Sequence, residues 1–187
     1  MIYFTSDLHL NHEKLFVYEA RGFDSITIMN NKILNNLNEI VTDQDDLYIL
    51  GDLILGGGNN IEQTLDLLYQ IPGKIHIIRG NHDTNTRWSL YSSLPNVIEL
   101  QNSIYLKYNN YHFYLSHFPS LTSNYDNDKP LKQKLINLCG HTHTKNPFAD
   151  FDKGIIYHCE MDAHNCYPIS IDTILKEIKV KINEERS

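Results

Sequence analysis

The sequence predicts an α/β fold in which two mixed β-sheets pack as a sandwich flanked by helices. In the first half, short apolar segments alternate with longer segments whose apolar residues recur every three or four positions. This rhythm is typical of parallel strands joined by crossover helices. In the second half, strand-like segments are separated by very short turns, which favours antiparallel pairing. An amphipathic segment near the end predicts a last helix.

The first-half strands are predicted at residues 2–5, 47–50 and 75–78, because each segment is too short for a core helix and is bounded by Asp or Gly. Helical spacing over 26–40 and 61–69 predicts the two crossover helices, and Pro72-Gly73 ends the second.

Later strands are predicted at 97–100, 104–108, 111–116, 135–139 and 155–159. Asn109-Asn110 separates two alternating, aromatic-rich segments and predicts a tight hairpin. Ser170 is a suitable N-cap for the last helix, whose inner face would carry Ile171, Ile174, Leu175 and Ile178.

The composition predicts one domain over residues 1–187, with ordinary hydrophobic (41%) and charged (21%) fractions. No apolar segment approaches the ~20 residues that span a membrane, and the first residues lack the pattern of a signal peptide. Three cysteines without dense spacing fit a reducing compartment, so a cytoplasmic location is expected. A net charge of -7 argues against a basic duplex-binding surface, although a nucleotide or short nucleic acid stays compatible.

Side chains that commonly bind metals follow the predicted strands at the points where those strands end. Because seven donors are too many for one tetrahedral ion, they fit two ions that share a bridging carboxylate. Mixed oxygen and nitrogen donors favour Mn, with Fe, Zn, Ni or Co as alternatives, over Ca. The seven candidate metal ligands are Asp7, His9, Asp52, Asn81, His117, His141 and His143.

These residues form five blocks whose order resembles the calcineurin-like metallophosphoesterase superfamily, and especially its small bacterial and phage members. Those members share a second histidine (His12), an Arg-x-Phe (21–23) and a Pro-Ile-Ser (168–170). The blocks are Asp7-x-His9, Gly51-Asp52, Gly80-Asn81-His82-Asp83, His117 and Gly140-His141-Thr142-His143.

The resemblance implies hydrolysis of phosphodiester or phosphomonoester bonds by a metal-bridging hydroxide, with His82 at the leaving group and Asp52 shared by both ions. One ion would be bound by Asp7, His9, Asp52 and His143, and the other by Asp52, Asn81, His117 and His141. Two alternatives stay open: a nuclease for single-stranded nucleic acid, and an interaction scaffold with weak catalysis. A scaffold need not keep His82, which is present here.

Leu55 departs from the family pattern, in which an Asp at this position orients the catalytic histidine. Substrate contacts are expected at Asn11, His12 and Arg21, for which a structural role is an equal alternative. The glycine-rich residues 56–60 favour a turn over a phosphate-binding loop, and the polar residues 121–130 predict a surface loop near the site.

Overall fold

The computed structural model of the chain describes residues 1–55, 61–122 and 129–185. The glycine-rich segment 56–60 and most of the predicted loop at 121–130 therefore lie outside the described residues. The strands are β1 (Ile2–Thr5), β2 (Asp46–Ile49), β3 (Lys74–Ile78), β4 (Val97–Gln101), β5 (Ile104–Tyr108), β6 (Tyr111–Leu115), β7 (Leu135–Cys139), β8 (Ile156–His158) and β9 (Ile169–Ser170). The helices are α1 (Leu15–Tyr18), α2 (Ile26–Ile40), α3 (Ile61–Leu68), α4 (Asn85–Tyr91) and α5 (Ile171–Glu184).

The strands form two mixed sheets, as the sequence predicts. The first has the order β4-β3-β2-β1-β9, and the second has the order β5-β6-β7-β8. Strands β1 to β4 pair in parallel, and β9 is antiparallel to β1. In the second sheet β5 and β6 form a hairpin, whereas β7 is parallel to both β6 and β8.

Antiparallel pairing in the second half is thus less extensive than its short turns suggest. Strand β4 joins the first sheet in parallel with β3, and β6, β7 and β8 are parallel to one another. The segments that precede β7 and β8 are long enough for the crossover that parallel pairing requires, whereas only the Asn109-Asn110 turn is a two-residue hairpin. Both asparagines have a positive φ (48° and 64°), as a primed turn demands.

Alternating side chains of the first sheet enter two hydrophobic clusters. Leu47 and Ile49 pack in the cluster that contains the buried face of α2, while Phe4 and Tyr48 belong to the cluster shared with the second sheet and α5. The predicted cap of α5 is present, because the Ser170 side chain accepts a hydrogen bond from the Thr173 amide. Within the described residues, no helix combines the length and apolar character needed to cross a bilayer.

Candidate metal centre

The candidate ligands lie at the carboxyl ends of strands from both sheets. Asp7, Asp52 and Asn81 follow β1, β2 and β3, and His117 and His141 follow β6 and β7. Since these strands are parallel within each sheet, their carboxyl ends lie at one edge of it. The seven side chains form one continuous set in which each has a polar atom within 3.8 Å of another member.

One group of donors is formed by Asp7, His9 and His143, whose ligand atoms all lie within 4.8 Å of one another. Nε2 of His9 is 3.1 Å from Nε2 of His143 and 3.7 Å from Oδ1 of Asp7. Two ligand atoms of one tetrahedral ion, at ~2.0–2.1 Å from it, are separated by about 3.3 Å. The spacing of this group therefore fits a single first-row cation.

A second group surrounds His117. Its Nε2 lies 3.5 Å from Oδ2 of Asp52 and 2.9 Å from Oδ1 of Asn81, and that same Asn81 oxygen is 2.9 Å from Nδ1 of His141. Oδ2 of Asp52 is also 3.8 Å from Nε2 of His9. Asp52 is thus placed between the two groups.

Asp7 carries an oxygen that lacks a partner although it is fully buried. Its Oδ2 accepts hydrogen bonds from the Ser6 hydroxyl (2.6 Å) and the His141 amide (2.8 Å), whereas Oδ1 has no hydrogen-bond partner. A buried carboxylate oxygen without a donor is energetically costly. A cation beside Oδ1 would remove that cost, so the residues fit metal ions.

The pKa shifts of the carboxylates also favour a cation. Burial raises the pKa of Asp52, and the neighbouring negative charge of Asp7 acts in the same direction. Burial also raises the pKa of Asp7, but the nearby histidines, His9 first among them, outweigh it and lower this pKa overall. Two adjacent buried carboxylates are an arrangement that bound cations stabilise.

Burial lowers the pKa of His9 and of His141, which favours the neutral imidazole that binds metal. His143 differs. Burial lowers its pKa, yet its contact with the Asp162 carboxylate and the charge of Asp7 raise the pKa overall.

The backbone of the site is unusual because five of the candidate ligands adopt a positive φ. Left-handed backbone costs energy in residues other than glycine and is concentrated at functional sites. The five residues are Asp7 (56°), His9 (50°), Asp52 (55°), His141 (79°) and His143 (52°).

Two glycines allow the loops to approach each other closely. A Cβ at Gly80 would collide with the Asp52 carboxylate, and a Cβ at Gly140 would collide with Ser6 and Asp7. The close packing of the backbone beside the centre therefore requires glycine at both positions.

His82 lies next to the two donor groups, and its side chain is 43% exposed. Its Nε2 is 3.9 Å from Oδ2 of Asp52, and its ring centroid is 5.5 Å from that of His9. The loop is fixed through its backbone: the His82 amide donates to Oδ1 of Asp52, and Arg87 donates to the carbonyl oxygens of His82 (2.6 Å) and Leu55 (3.2 Å). Arg87 thus links the loop of His82 to the position where the family has an aspartate.

Asp83 is buried and turns away from His82. Its Oδ2 accepts hydrogen bonds from the amides of Asp52 (2.9 Å) and Gly80 (2.8 Å), and its Oδ1 accepts one from the Tyr91 hydroxyl (2.8 Å). Asp83 therefore joins the loops that follow β2 and β3.

Arg21 lies behind the ligands, and its side chain is only 2% exposed. Its guanidinium forms a two-point ion pair with Asp162 (3.1 and 2.7 Å) and donates to the carbonyl oxygens of Asp7 and Leu8. Asp162 in turn contacts Nδ1 of His143 at 3.0 Å. The guanidinium thus has protein acceptors, which favours the structural alternative for Arg21 over a contact with a substrate phosphate.

Asn11 and His12, the two other expected substrate contacts, also interact with neighbouring side chains. Oδ1 of Asn11 accepts a hydrogen bond from the Asn30 amide group on α2. His12 is buried with its Nδ1 3.3 Å from Nδ1 of His9, and burial together with the charges of neighbouring histidines lowers its pKa to about 4. Its ring centroid lies 6.4 Å from that of His82, so His12 borders the site.

A buried polar network, whose residues are not among the sequence-predicted site residues, supports the loop of His141 and His143. Glu160 accepts hydrogen bonds from the amide and the hydroxyl of Thr142 (3.2 and 2.8 Å). His158 lies 3.0 Å from both Glu160 and Asp150, and although burial lowers its pKa, these carboxylates raise it overall. Glu160 and Asp162 follow β8, so the same signal of acidic residues after a strand marks them.

Comparison with known proteins places the chain in a family. The sequence model of the calcineurin-like phosphoesterases matches residues 1–180, and the chain belongs to this family. It is therefore a metal-dependent phosphoesterase.

Individual relatives extend over most of the chain. The uncharacterized protein MJ1445 of Methanocaldococcus jannaschii is 34% identical over 184 residues, which cover 95% of this chain and 91% of that protein. The Gene 66 protein of Mycobacterium phage L5 is 25% identical over 76% of this chain and 77% of its own length. Among solved structures, AQ665 of Aquifex aeolicus, a protein of unknown function, has a TM-score of 0.71 at 23% identity and covers 94% of this chain and 98% of its own. That likeness shows a shared fold.

Proposed function

We propose that the chain is a single-domain, dinuclear phosphodiesterase with Mn as its expected metal and Fe, Zn, Ni or Co as alternatives. Asp7, His9, Asp52 and His143 bind one cation, and Asp52, Asn81, His117 and His141 bind the other. The observation that carries the proposal is the position of Asp52, whose Oδ2 lies within 3.8 Å of His9 and 3.5 Å of His117. Bound divalent ions would supply a water nucleophile at neutral pH and charge stabilisation for the phosphoryl group.

His82 is the proposed acid for the leaving oxygen. Its side chain is partly exposed beside Asp52, so it can reach a substrate that covers the centre. Arg87 holds the His82 carbonyl, so the ring position is set by the loop instead of by the family's aspartate.

The charges around the centre favour phosphodiesters over phosphomonoesters, which carry an additional negative charge. The three arginines that the structure describes all donate to protein acceptors: Arg21 to Asp162, Arg79 to the Asp83 carbonyl and Asn85, and Arg87 to two carbonyl oxygens. A monoester would need such a cation more than a diester does. The three cysteines are free and buried, which is compatible with the expected cytoplasmic location.

The test measures metal content and turnover together. The wild-type protein should contain two Mn ions per chain by elemental analysis and should hydrolyse bis(p-nitrophenyl) phosphate faster than p-nitrophenyl phosphate, with both activities removed by a chelator. Asp52→Asn should lose both ions, and a variant that retains full occupancy would contradict the bridging role. Turnover that resists the chelator would remove the metals from the mechanism.

His82→Ala should keep both ions and lower kcat by about 10²–10⁴-fold, less for aryl esters because their leaving groups need little protonation. His112→Ala is the matched control, since His112 lies on β6 at the end opposite His117. Equal kcat values for His82→Ala and His112→Ala on a diester with an alkyl leaving group would exclude the proposed acid. Metal binding without turnover on either ester would favour the interaction scaffold.

A further inference from the structure

The two exposed phenylalanines of the chain both lie beside the candidate centre. All seven phenylalanines are described, and only Phe16 (72%) and Phe118 (49%) are exposed. Single exposed apolar residues are common and need no explanation. Here, however, both exposed phenylalanines are found at one site, whereas the exposed tyrosines among the described residues, Tyr69 and Tyr105, lie after α3 and on β5.

The two phenyl rings pack against different histidines, Phe16 next to the first donor group and Phe118 against the second. The Phe16 ring is 5.7 Å from the His12 ring at 84°, and His12 lies 5.2 Å from His9 in the first donor group. The Phe118 ring is 4.6 Å from His141 and 5.0 Å from His117 in the second group. The two donor groups therefore lie between the phenyl rings in this chain of contacts.

We propose that Phe16 and Phe118 are stacking platforms for the bases on either side of a scissile phosphodiester, so that the substrate is a dinucleotide or a short single-stranded nucleic acid. This inference rests on the proposed function. A phosphodiester with a planar group on each side is the repeating unit of nucleic acid. Aromatic side chains bind unpaired bases because every base presents a flat face.

The charge of the chain favours a short single strand over a duplex. A net charge of -7 does not supply the extended basic surface on which duplex binding depends. Bases within a duplex are also already stacked on their neighbours, so their faces are not available to the two phenyl rings. Lys14 is exposed and precedes Phe16 by two residues, so the chain carries a cation close to this platform that can pair with an adjacent phosphate.

The test compares two substrates that share one linkage. Thymidine dinucleotide and its abasic analogue contain the same phosphodiester, and only the dinucleotide carries bases. For the Mn-loaded wild-type protein, kcat/KM should be at least about tenfold higher for the dinucleotide than for the abasic analogue. Phe16→Leu and Phe118→Leu should each lower this ratio by about tenfold, mainly through KM, because leucine keeps an apolar side chain but has no ring.

Control variants separate stacking from general apolar contact. Phe16→Tyr and Phe118→Tyr should keep the ratio, since tyrosine retains the ring. Leu15→Ala removes exposed apolar surface next to Phe16 and should leave the ratio unchanged. Annealing a complementary strand to a short single-stranded thymidine substrate should slow hydrolysis of that substrate.

The outcomes distinguish this inference from the function on which it rests. If bis(p-nitrophenyl) phosphate is hydrolysed but the ratio is the same in both leucine variants and the wild type, only the stacking proposal is overturned. The stacking proposal is also overturned if a duplex is hydrolysed faster than a single strand. It is overturned as well if the phenyl rings bind a protein partner and their replacement does not change the ratio of the two kcat/KM values. If neither diester is hydrolysed with Mn, the proposed function fails and the stacking proposal fails with it.

Discussion

Replacing Asp83 by alanine should destabilise the chain strongly, although Asp83 is not one of the candidate metal ligands. The carboxylate accepts three hydrogen bonds, from the amides of Asp52 and Gly80 and from the Tyr91 hydroxyl. Both Asp83 and Tyr91 are buried, so water does not readily replace the lost acceptor. Burial, and then the charge of Asp83, raise the pKa of Tyr91, which therefore stays a neutral donor.

The expected loss follows from these three bonds. Each hydrogen bond to a charged group contributes about 1.5–3 kcal/mol, and relaxation of the loops makes the sum smaller than additive. The free energy of unfolding should therefore fall by about 3–5 kcal/mol in Asp83→Ala. Tyr91→Phe removes one of the three bonds and should cost about 1–2 kcal/mol.

Urea unfolding of the metal-free proteins, followed by far-ultraviolet circular dichroism, measures these differences directly. Asp43→Ala is the control, because Asp43 is an exposed aspartate remote from the loops of the centre. The reasoning is refuted if Asp83→Ala loses less than about 1 kcal/mol, or no more than Tyr91→Phe loses.

Three further predictions concern the backbone, the acid range and the ligand loop. His9→Gly should be more stable than His9→Ala by about 1 kcal/mol in urea, because φ at this residue is 50°; equal stability would show that the left-handed backbone carries no strain. Burial raises the pKa of Asp162, but contacts with His143 and Arg21 outweigh it and hold the pKa at about 2. The metal-free protein should therefore lose about 2 kcal/mol as the pH falls from about 4 to about 2, and Asp162→Asn should lose that much less across this window in pH-dependent unfolding. Glu160→Ala should weaken Mn binding by about 10–100-fold in calorimetric titration, because the amide and hydroxyl of Thr142 lose their acceptor, and unchanged affinity would mean that Thr142 does not need it.

Much of the fold was predictable because it depends on local pattern. Apolar period and turn residues are sufficient to predict β1 to β3, the hairpin at Asn109-Asn110 and the cap at Ser170. Strand direction in the second half was not predictable in the same way. Whether a strand such as β4 pairs in parallel or antiparallel depends on which edge of which sheet is free, and no local pattern carries that information.

The site, like the fold, was predictable in part. Residue type and position after a strand were enough to select the candidate ligands, because parallel strands bring their carboxyl ends together. The direction of a side chain was not predictable. For Arg21 a substrate contact and a structural role were equal alternatives, because the partner that holds its guanidinium inward, Asp162, is distant in sequence. Asp83 turns away from His82 for a comparable reason, because two backbone amides lie on its other side.

The candidate ligands of each ion come from both layers of the sandwich, and this has a consequence for how the protein unfolds. For one ion, Asp7 and His9 follow a strand of the first sheet, whereas His143 follows a strand of the second. For the other ion, Asn81 follows a strand of the first sheet and His117 follows a strand of the second. Bound ions would therefore act as cross-links between the layers, which could not separate until the metal was released. Global unfolding of the loaded protein would then require release of the metal, so a chelator should accelerate its denaturation.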